Sequence, residues 1–364
     1  MDIEEFLVPV AYSLTEDLSM GHRWSIGANC HFGIPSNPEP DAVFLVFVAN
    51  EQEFDQQETA FEKLRRNFYS LSHSNWSLPL YDLGTIVAKE DPEYLKFAAF
   101  SVAREIQKYE GKLIVVGGAH SLTYQLYLAL QGSMKSVCTV DYRIDLNIDS
   151  PVDEERFISD MILNSDHPLL DYVNLGSQAP FRYKEESDIL EQMNFEEIRL
   201  GRLIDDITLA EPYIREVDIF SVDVKALQQS SFPDSDHSSP NGLNAREICQ
   251  IMKYAGNSWQ LTQTHIAGVK DFSHPVAEQL TSEMLWYYLE AMNNRQQDGE
   301  LQVYHVQFDD EEIVFYKSVR SGKWWVETIV DGMQKKIPCS HMDYHKSLQG
   351  ELPDRWLKFF KKFY

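Results

Sequence analysis

The sequence predicts a three-layer α/β/α fold with a mostly parallel sheet, followed by a C-terminal β-rich extension. Three observations carry this. Short continuous apolar runs, such as Val43-Phe44-Leu45-Val46-Phe47-Val48, read as strands buried on both faces. These runs alternate with helical patterns, and that alternation implies a parallel sheet covered by helices on both sides. After about Gln297 the pattern changes to aromatic, β-rich runs joined by short polar turns.

The elements follow in order. A helix is predicted near Glu58–Leu71, where Phe61, Leu64 and Phe68 recur at helical spacing. Asp91 as N-cap and Pro92 at the first position start a helix that runs to Tyr109. Leu113–Val116 is the next buried strand and leads into Gly117-Gly118. Helix Ser121–Leu130, strand Val137–Val140, helix Asp153–Asn164 and strand Tyr172–Leu175 continue the alternation. Helix Glu185–Met193, strand Ile198–Leu200, strand Val217–Val224 and helix Asn244–Tyr254 come next. Strand Thr264–Val269 and the long helix Pro275–Asn293 close the α/β part, expected to span 1–297. In the remainder, 298–364, Gln302–Phe308, Glu312–Lys317 and Trp324–Ile329 read as an antiparallel meander. A polar loop and an amphipathic tail, Pro353–Phe363, follow.

Composition narrows the function. The formal charge of −25 argues against nucleic acid, whose phosphates it would repel. No apolar run reaches the roughly 18 residues that span a bilayer, so no membrane partner is expected. The start MDIEEFLVPVAY has no basic leader region. Cys30, Cys138, Cys249 and Cys339 lie far apart and read as reduced thiols of a cytoplasmic protein.

Right-handed crossovers put parallel strand C-termini on one edge, where ligand crevices form. Four polar clusters fall just past predicted strand ends. They are Gly117-Gly118-Ala119-His120-Ser121, then Asp141-Tyr142-Arg143-Ile144-Asp145-Leu146-Asn147, then Ser221-Val222-Asp223-Val224-Lys225, then Gly268-Val269-Lys270-Asp271. Aspartates with one imidazole suit Mn²⁺ or Mg²⁺ rather than a metal that prefers thiolate.

In order and spacing these clusters resemble the ureohydrolase family of arginase, agmatinase and formimidoylglutamase. That family carries GGDHS, DAHxD, SxDxDxxDP and an EVNP-type strand end; this chain has GGAHS, DYRID, SVDVKALQ and KDFSHP. The resemblance covers about residues 1–297, and the aromatic tail (EIVFYKS, KWWVE, IPCS, LPDRW) is similar to a divergent bacterial formimidoylglutamase-like branch. It implies an arginase-like domain, a homo-oligomer, and two Mn²⁺ ions that generate a hydroxide nucleophile against an amidine carbon. Residue by residue, it implies His120, Asp141, Asp145 and Asp223 as ligands of a first metal, with His120, Asp145 and Asp223 catalytic. Asn147 matches a residue of the substrate loop. The guanidinium-binding acid falls at Asp271 counted from Gly268, or at Phe272 counted back from Pro275.

The second metal is another matter. Its histidine and aspartate positions hold Arg143 and Lys225, and the acid before His120 is Ala119. Asp141, Asp145 and Asp223 with Arg143 and Lys225 sum to one negative charge without metal, as the family cluster does with its ions and hydroxide. The expectation is that the second site is lost, leaving none or one Mn²⁺, and that the protein is a catalytically impaired binding or interaction protein. The alternative is a C–N hydrolase of linear amidines that works with one metal. A third reading has Arg143 and Lys225 holding a small anionic metabolite.

Other features read plainly. Asp149, Asp153, Glu154 and Glu155 look like a solvated helix start. The Ser/Pro/Asp-rich stretch 228–243, with Asp234, Asp236 and His237, reads as a mobile loop. Trp324 and Trp325 are neighbours on a strand and should point to opposite faces.

Overall fold

Ten strands form one sheet: Leu7–Val8 (β1), Cys30–Phe32 (β2), Val43–Asn50 (β3), Leu80–Ala88 (β4), Lys112–Gly117 (β5), Lys135–Val140 (β6), Leu169–Ser177 (β7), Glu196–Arg199 (β8), Ile219–Asp223 (β9) and Gln263–Ala267 (β10). The computed structural model describes residues 3–19, 22–50, 60–73, 75–89, 91–132, 135–270, 272–308, 311–330 and 333–363. The strand order is β1-β4-β3-β5-β10-β9-β6-β7-β8, with β2 also beside β4. All pairings are parallel except that of β1 with β4.

The apolar runs explain the layers. Successive residues of β3 point to opposite faces. Leu45 and Phe47 join Phe61, Leu64, Ile248, Met252 and Leu285 in the core under helices Ala60–Ser70, Ala245–Gly256 and Pro275–Asn294. Phe44 and Val46 join Val102, Leu126, Phe157 and Ile158 under helices Pro92–Lys108, Thr123–Ala129 and Asp153–Leu163. Asp91 caps Pro92–Lys108 by accepting from the Glu93 N–H, as its position predicts.

The second sheet is an antiparallel meander of Leu301–Phe308 (β11), Glu311–Ser318 (β12), Trp324–Val330 (β13) and Met333–Cys339 (β14). Helices His341–Leu348 and Asp354–Phe363 lie against it. Trp324 enters this sheet's own core, while Trp325 turns the other way and donates from Nε1 to Glu216, 3.1 Å away. Arg215 donates to the Trp324 carbonyl at 2.7 Å, and Lys358 to the Phe195 carbonyl at 2.7 Å, tying this region to the large sheet.

Several elements depart from the sequence reading. Strand β4 goes unpredicted because Asp82 and Gly84 interrupt its apolar run, yet Asp82 is buried and paired with Arg65 at 2.7 Å. The predicted polar loop after residue 329 contains β14 and helix His341–Leu348. Lys335, Lys336 and Pro338 mask β14, since such residues are normal on a sheet edge. Strand Ile198–Leu200 ends at Arg199, where a short helix Leu200–Asp205 begins. The four cysteines are buried and free. Among the described residues no helix is long and apolar enough to cross a membrane.

Candidate metal centre and its flanking ion pairs

Neighbouring parallel strands β5, β10, β9 and β6 deliver their C-terminal ends to one edge. Just past β5, Gly117 and Gly118 adopt φ of +99° and +78°, and the chain turns into the short helical turn that carries His120. A Cβ on Gly117 would lie 2.4 Å from the Val48 carbonyl oxygen, so only glycine fits. Gly268, after β10, also has positive φ, and its backbone packs on the Asp223 carboxylate.

His120, Asp141 and Asp223 converge there. His120 Nδ1 is 2.8 Å from Asp141 Oδ2 and 3.8 Å from Asp223 Oδ2. One ligand atom from each residue lies within 4.8 Å of the others, and all three side chains are buried. Nε2 of His120 is 2.9 Å from Ser221 Oγ, and Phe157 covers the ring at a centroid distance of 4.9 Å. Asp145 comes close, with Oδ2 3.6 Å from His120 Nδ1, but its other oxygen is taken. Arg143 Nε sits 2.6 Å from Asp145 Oδ1 without hydrogen-bond alignment, so this contact is an ion pair.

Both cations predicted at the second metal position face the site, and both are held. Arg143 reaches Glu155 at 3.4 Å and donates to the Glu154 carbonyl at 3.1 Å. Lys225 Nζ is 3.4 Å from Glu154 and 3.9 Å from Asp223. Glu154 and Glu155 are therefore not just a solvated helix start: their helix aims them at Arg143 and at Lys225, the latter 71 residues from Glu154. Asn147 lines a cavity of about 170 Å³ with Arg143, Asp145, Tyr183 and Glu186. A second cavity, about 310 Å³, is walled by Glu154, Lys225, Gly118, Ala119 and Lys270. Asp271 lies outside the described residues; Phe272 is buried edge-on against Phe61.

The stretch 228–243 is ordered, against the expectation of a mobile loop. Gln228 N–H donates to the Leu243 carbonyl and Gln229 N–H to that of Ser239. His237 stacks on Tyr142 at 4.0 Å, and Asp234 accepts from Ser273 and from the His274 N–H.

Electrostatics follow from burial among carboxylates. Burial alone would depress the His120 pKa, but the hydrogen bond to Asp141, the close Asp145 carboxylate and the charges of Asp141 and Asp223 raise it to about 10. Burial, then repulsion from Asp145 on Asp141 and from Asp141 on Asp223, pushes both up to about 6. Burial opposes the charge on Arg143 and Lys225, yet their carboxylate neighbours win and raise both. The buried carboxylates thus favour a proton on His120, and a divalent ion would answer the same demand for positive charge. The donor set of one imidazole and buried carboxylates fits a hard ion such as Mn²⁺ or Mg²⁺. Among the described residues this is the one group of three such side chains.

Sequence reasoning missed Ser221, Glu154, Glu155 and His265. Ser221 lies inside a quoted motif, two residues before Asp223. His265 on β10 donates from Nε2 to the Gly117 carbonyl at 2.9 Å and accepts at Nδ1 from Thr123, fixing the turn beneath His120. Nothing in one sequence marks it.

The fold with this strand-edge site defines the class: the chain carries the arginase (ureohydrolase) fold. Formimidoylglutamase from Bacillus subtilis superposes with TM-score 0.62 at 16% identity, over 73% of this chain and 91% of that one. Trypanosoma cruzi formiminoglutamase with Mn²⁺ gives 0.57 at 17%, covering 71% and 95%. Agmatine ureohydrolase of Thermoplasma volcanium gives 0.56 at 16%, covering 76% and 97%. No family model matches the sequence, and no curated protein does.

Proposed function

We propose that this protein is a hydrolase of C–N bonds in linear amidines that works with a single divalent metal ion. The convergence of His120, Asp141 and Asp223 at the strand edge of an arginase fold carries this reading. A divalent ion on these residues supplies Lewis acidity and a nucleophile at neutral pH. His120 would hold such an ion in its neutral form, with Ser221 keeping the ring in place through Nε2. Asp145, buried beside the triad, orients the attacking water and carries its proton toward the departing nitrogen. Glu154 and the other carboxylates of the crevice suit a cationic amidinium, and Asn147 lines the approach. Arg143 and Lys225 hold the Asp145, Glu155 and Glu154 carboxylates in place through their ion pairs.

The ion pairs of Arg143 with Asp145 and of Lys225 with Glu154 favour a second reading, a binding protein whose cations have replaced both ions. Metal content per chain, after purification without chelator and dialysis with Mn²⁺, separates the two. One ion, with hydrolysis of arginine, agmatine, guanidinobutyrate or formiminoglutamate that vanishes in Asp223→Ala, supports the hydrolase. No metal and no turnover supports the binder. Two ions would overturn the assignment of Arg143 and Lys225 to ligand positions.

A further inference from the structure

The crevice continues beyond the metal centre. The cavity of about 310 Å³ beside Lys225 shares two walls, Leu95 and Ala119, with a larger one of about 450 Å³. Phe157 links the larger cavity to the triad, since its ring covers His120 at 4.9 Å and also lines that cavity. One helix start serves both spaces, with Glu154 walling the smaller and Asp153 the larger. Ala119, where the ureohydrolase motif carries an acid, presents only a methyl group to both.

The larger cavity has the size of a small-molecule site, about 300–1,000 Å³. Ala88, Pro92, Leu95, Leu122 and Phe157 give it apolar surface. Its charged groups already have partners. Lys96 Nζ lies 2.9 Å from both Glu93 and Asp153, and Asp160 pairs with Arg156 at 2.7 Å. Lys89 sits over the Tyr94 ring at 3.9 Å. A charged ligand would compete with these pairs; an uncharged one leaves them intact.

We propose that the larger cavity holds an uncharged apolar group, of the size of an aromatic ring, carried by the substrate at the end remote from its amidine. This deepens the hydrolase reading above and rests on it. An amidinium beside Glu154 leaves the rest of the molecule to pass Leu95 and Ala119, two apolar walls that offer a polar chain no partner. A cavity of about 150 Å³ already takes benzene, so a phenyl ring with several methylenes fits here.

Calorimetric titration of the full-length protein, dialysed with Mn²⁺, tests this with three probes. Butylguanidine carries the head alone, phenylbutylguanidine the head and a ring, and phenylbutanol the ring without the head. The ring should tighten binding of the guanidine about 10–100-fold, the gain from burying an aromatic side chain. Gln125 lines the larger cavity and not the smaller, and it is partly exposed. Gln125→Trp should therefore fold, fill the cavity, abolish the gain and leave butylguanidine affinity unchanged. Gln125→Phe, a smaller filler, should remove less of the gain. Equal affinity of the two guanidines for the wild type, or a gain that survives in a folded Gln125→Trp, would overturn the inference and leave the hydrolase reading standing. Phenylbutanol binding that Gln125→Trp blocks, with neither guanidine bound, would overturn the amidine reading and support the cavity as a site for an apolar group. Binding of none of the three would overturn both.

Discussion

Arg143 Nε lies 2.6 Å from Asp145 Oδ1, at the end of a loop in which Asp145 itself takes a φ of +60°. Left-handed backbone costs about 1–2 kcal/mol for a residue with a Cβ, so the surroundings must hold it. They do: Asn174 donates to the Arg143 carbonyl at 2.8 Å, and Gln178 N–H to that of Tyr142 at 2.8 Å. The loop thus presents a carboxylate to His120 and a cation beside it in one rigid turn.

This relationship predicts the outcome of a charge reversal. Arg143→His with Lys225→Asp removes both cations and supplies an imidazole and a carboxylate at the second position. Elemental analysis of the folded double variant should show one more Mn²⁺ per chain than the wild type. An unchanged metal count in a protein with native circular dichroism would mean that the backbone there no longer suits a second ion.

Ser221 is fully buried, and its hydroxyl is the partner of His120 Nε2 at 2.9 Å. Partners of this kind orient a ligand imidazole, and losing one costs roughly 10–100-fold in metal affinity. Ser221→Ala should therefore weaken Mn²⁺ binding by that range in a calorimetric titration. The stranded Nε2 also costs the variant about 1–3 kcal/mol of stability, so Ser221→Thr, which keeps the hydroxyl, should restore the affinity and separate positioning from a general loss of structure.

His265 links pH to stability. Burial drives its pKa down to about 3, since the ring is enclosed between Gly117 and Thr123 with no carboxylate partner. The unfolded chain binds a proton here near pH 6.5, whereas the folded chain does not until about pH 3. Its contribution is thus fully present above pH 6.5 and falls by about 1.4 kcal/mol per unit as pH drops toward 3. Asp141 and Asp223, raised to about 6, act in the opposite direction, because the folded chain takes up their protons before the unfolded one does. The readout is therefore the difference between wild type and His265→Gln, which should shrink in urea midpoint as pH falls from 7 to 5. Parallel slopes would assign the acid sensitivity to other groups.

Much of this architecture is legible in the residues because buried parallel strands leave an unmistakable mark. The runs of β3 and β5 are apolar at every core position, and Asp91-Pro92 states where a helix begins. The site was legible for the same reason: polar residues directly after such runs, as at His120, Asp141 and Asp223, have one edge to go to. Long-range partners leave no such mark. Glu154 and Lys225 are 71 residues apart, and a helix start rich in acids looks alike whether it faces water or a lysine. Strand β4 is hidden because its polar residue is paired by a helix that precedes it in the chain.

That pairing yields a stability prediction. Asp82 is fully buried and accepts from Arg65 Nε at 2.7 Å, Arg65 Nη2 at 3.0 Å, Tyr69 Oη at 2.7 Å and the Gly84 N–H at 2.9 Å. Arg65 is itself buried, lies over the Phe47 ring and donates to Thr85. Removing one partner of a buried pair strands the other, at a cost of about 3–5 kcal/mol, whereas replacing both with apolar groups is often neutral. Arg65→Met should therefore lower stability by about that amount in urea unfolding, with the buried Asp82 left without its cation. Arg65→Met with Asp82→Leu should recover part of the loss. Recovery stays incomplete, because Tyr69 Oη and the Gly84 N–H also lose their acceptor. A single variant as stable as the wild type would show that water reaches Asp82, and that β4 is held by its apolar neighbours alone.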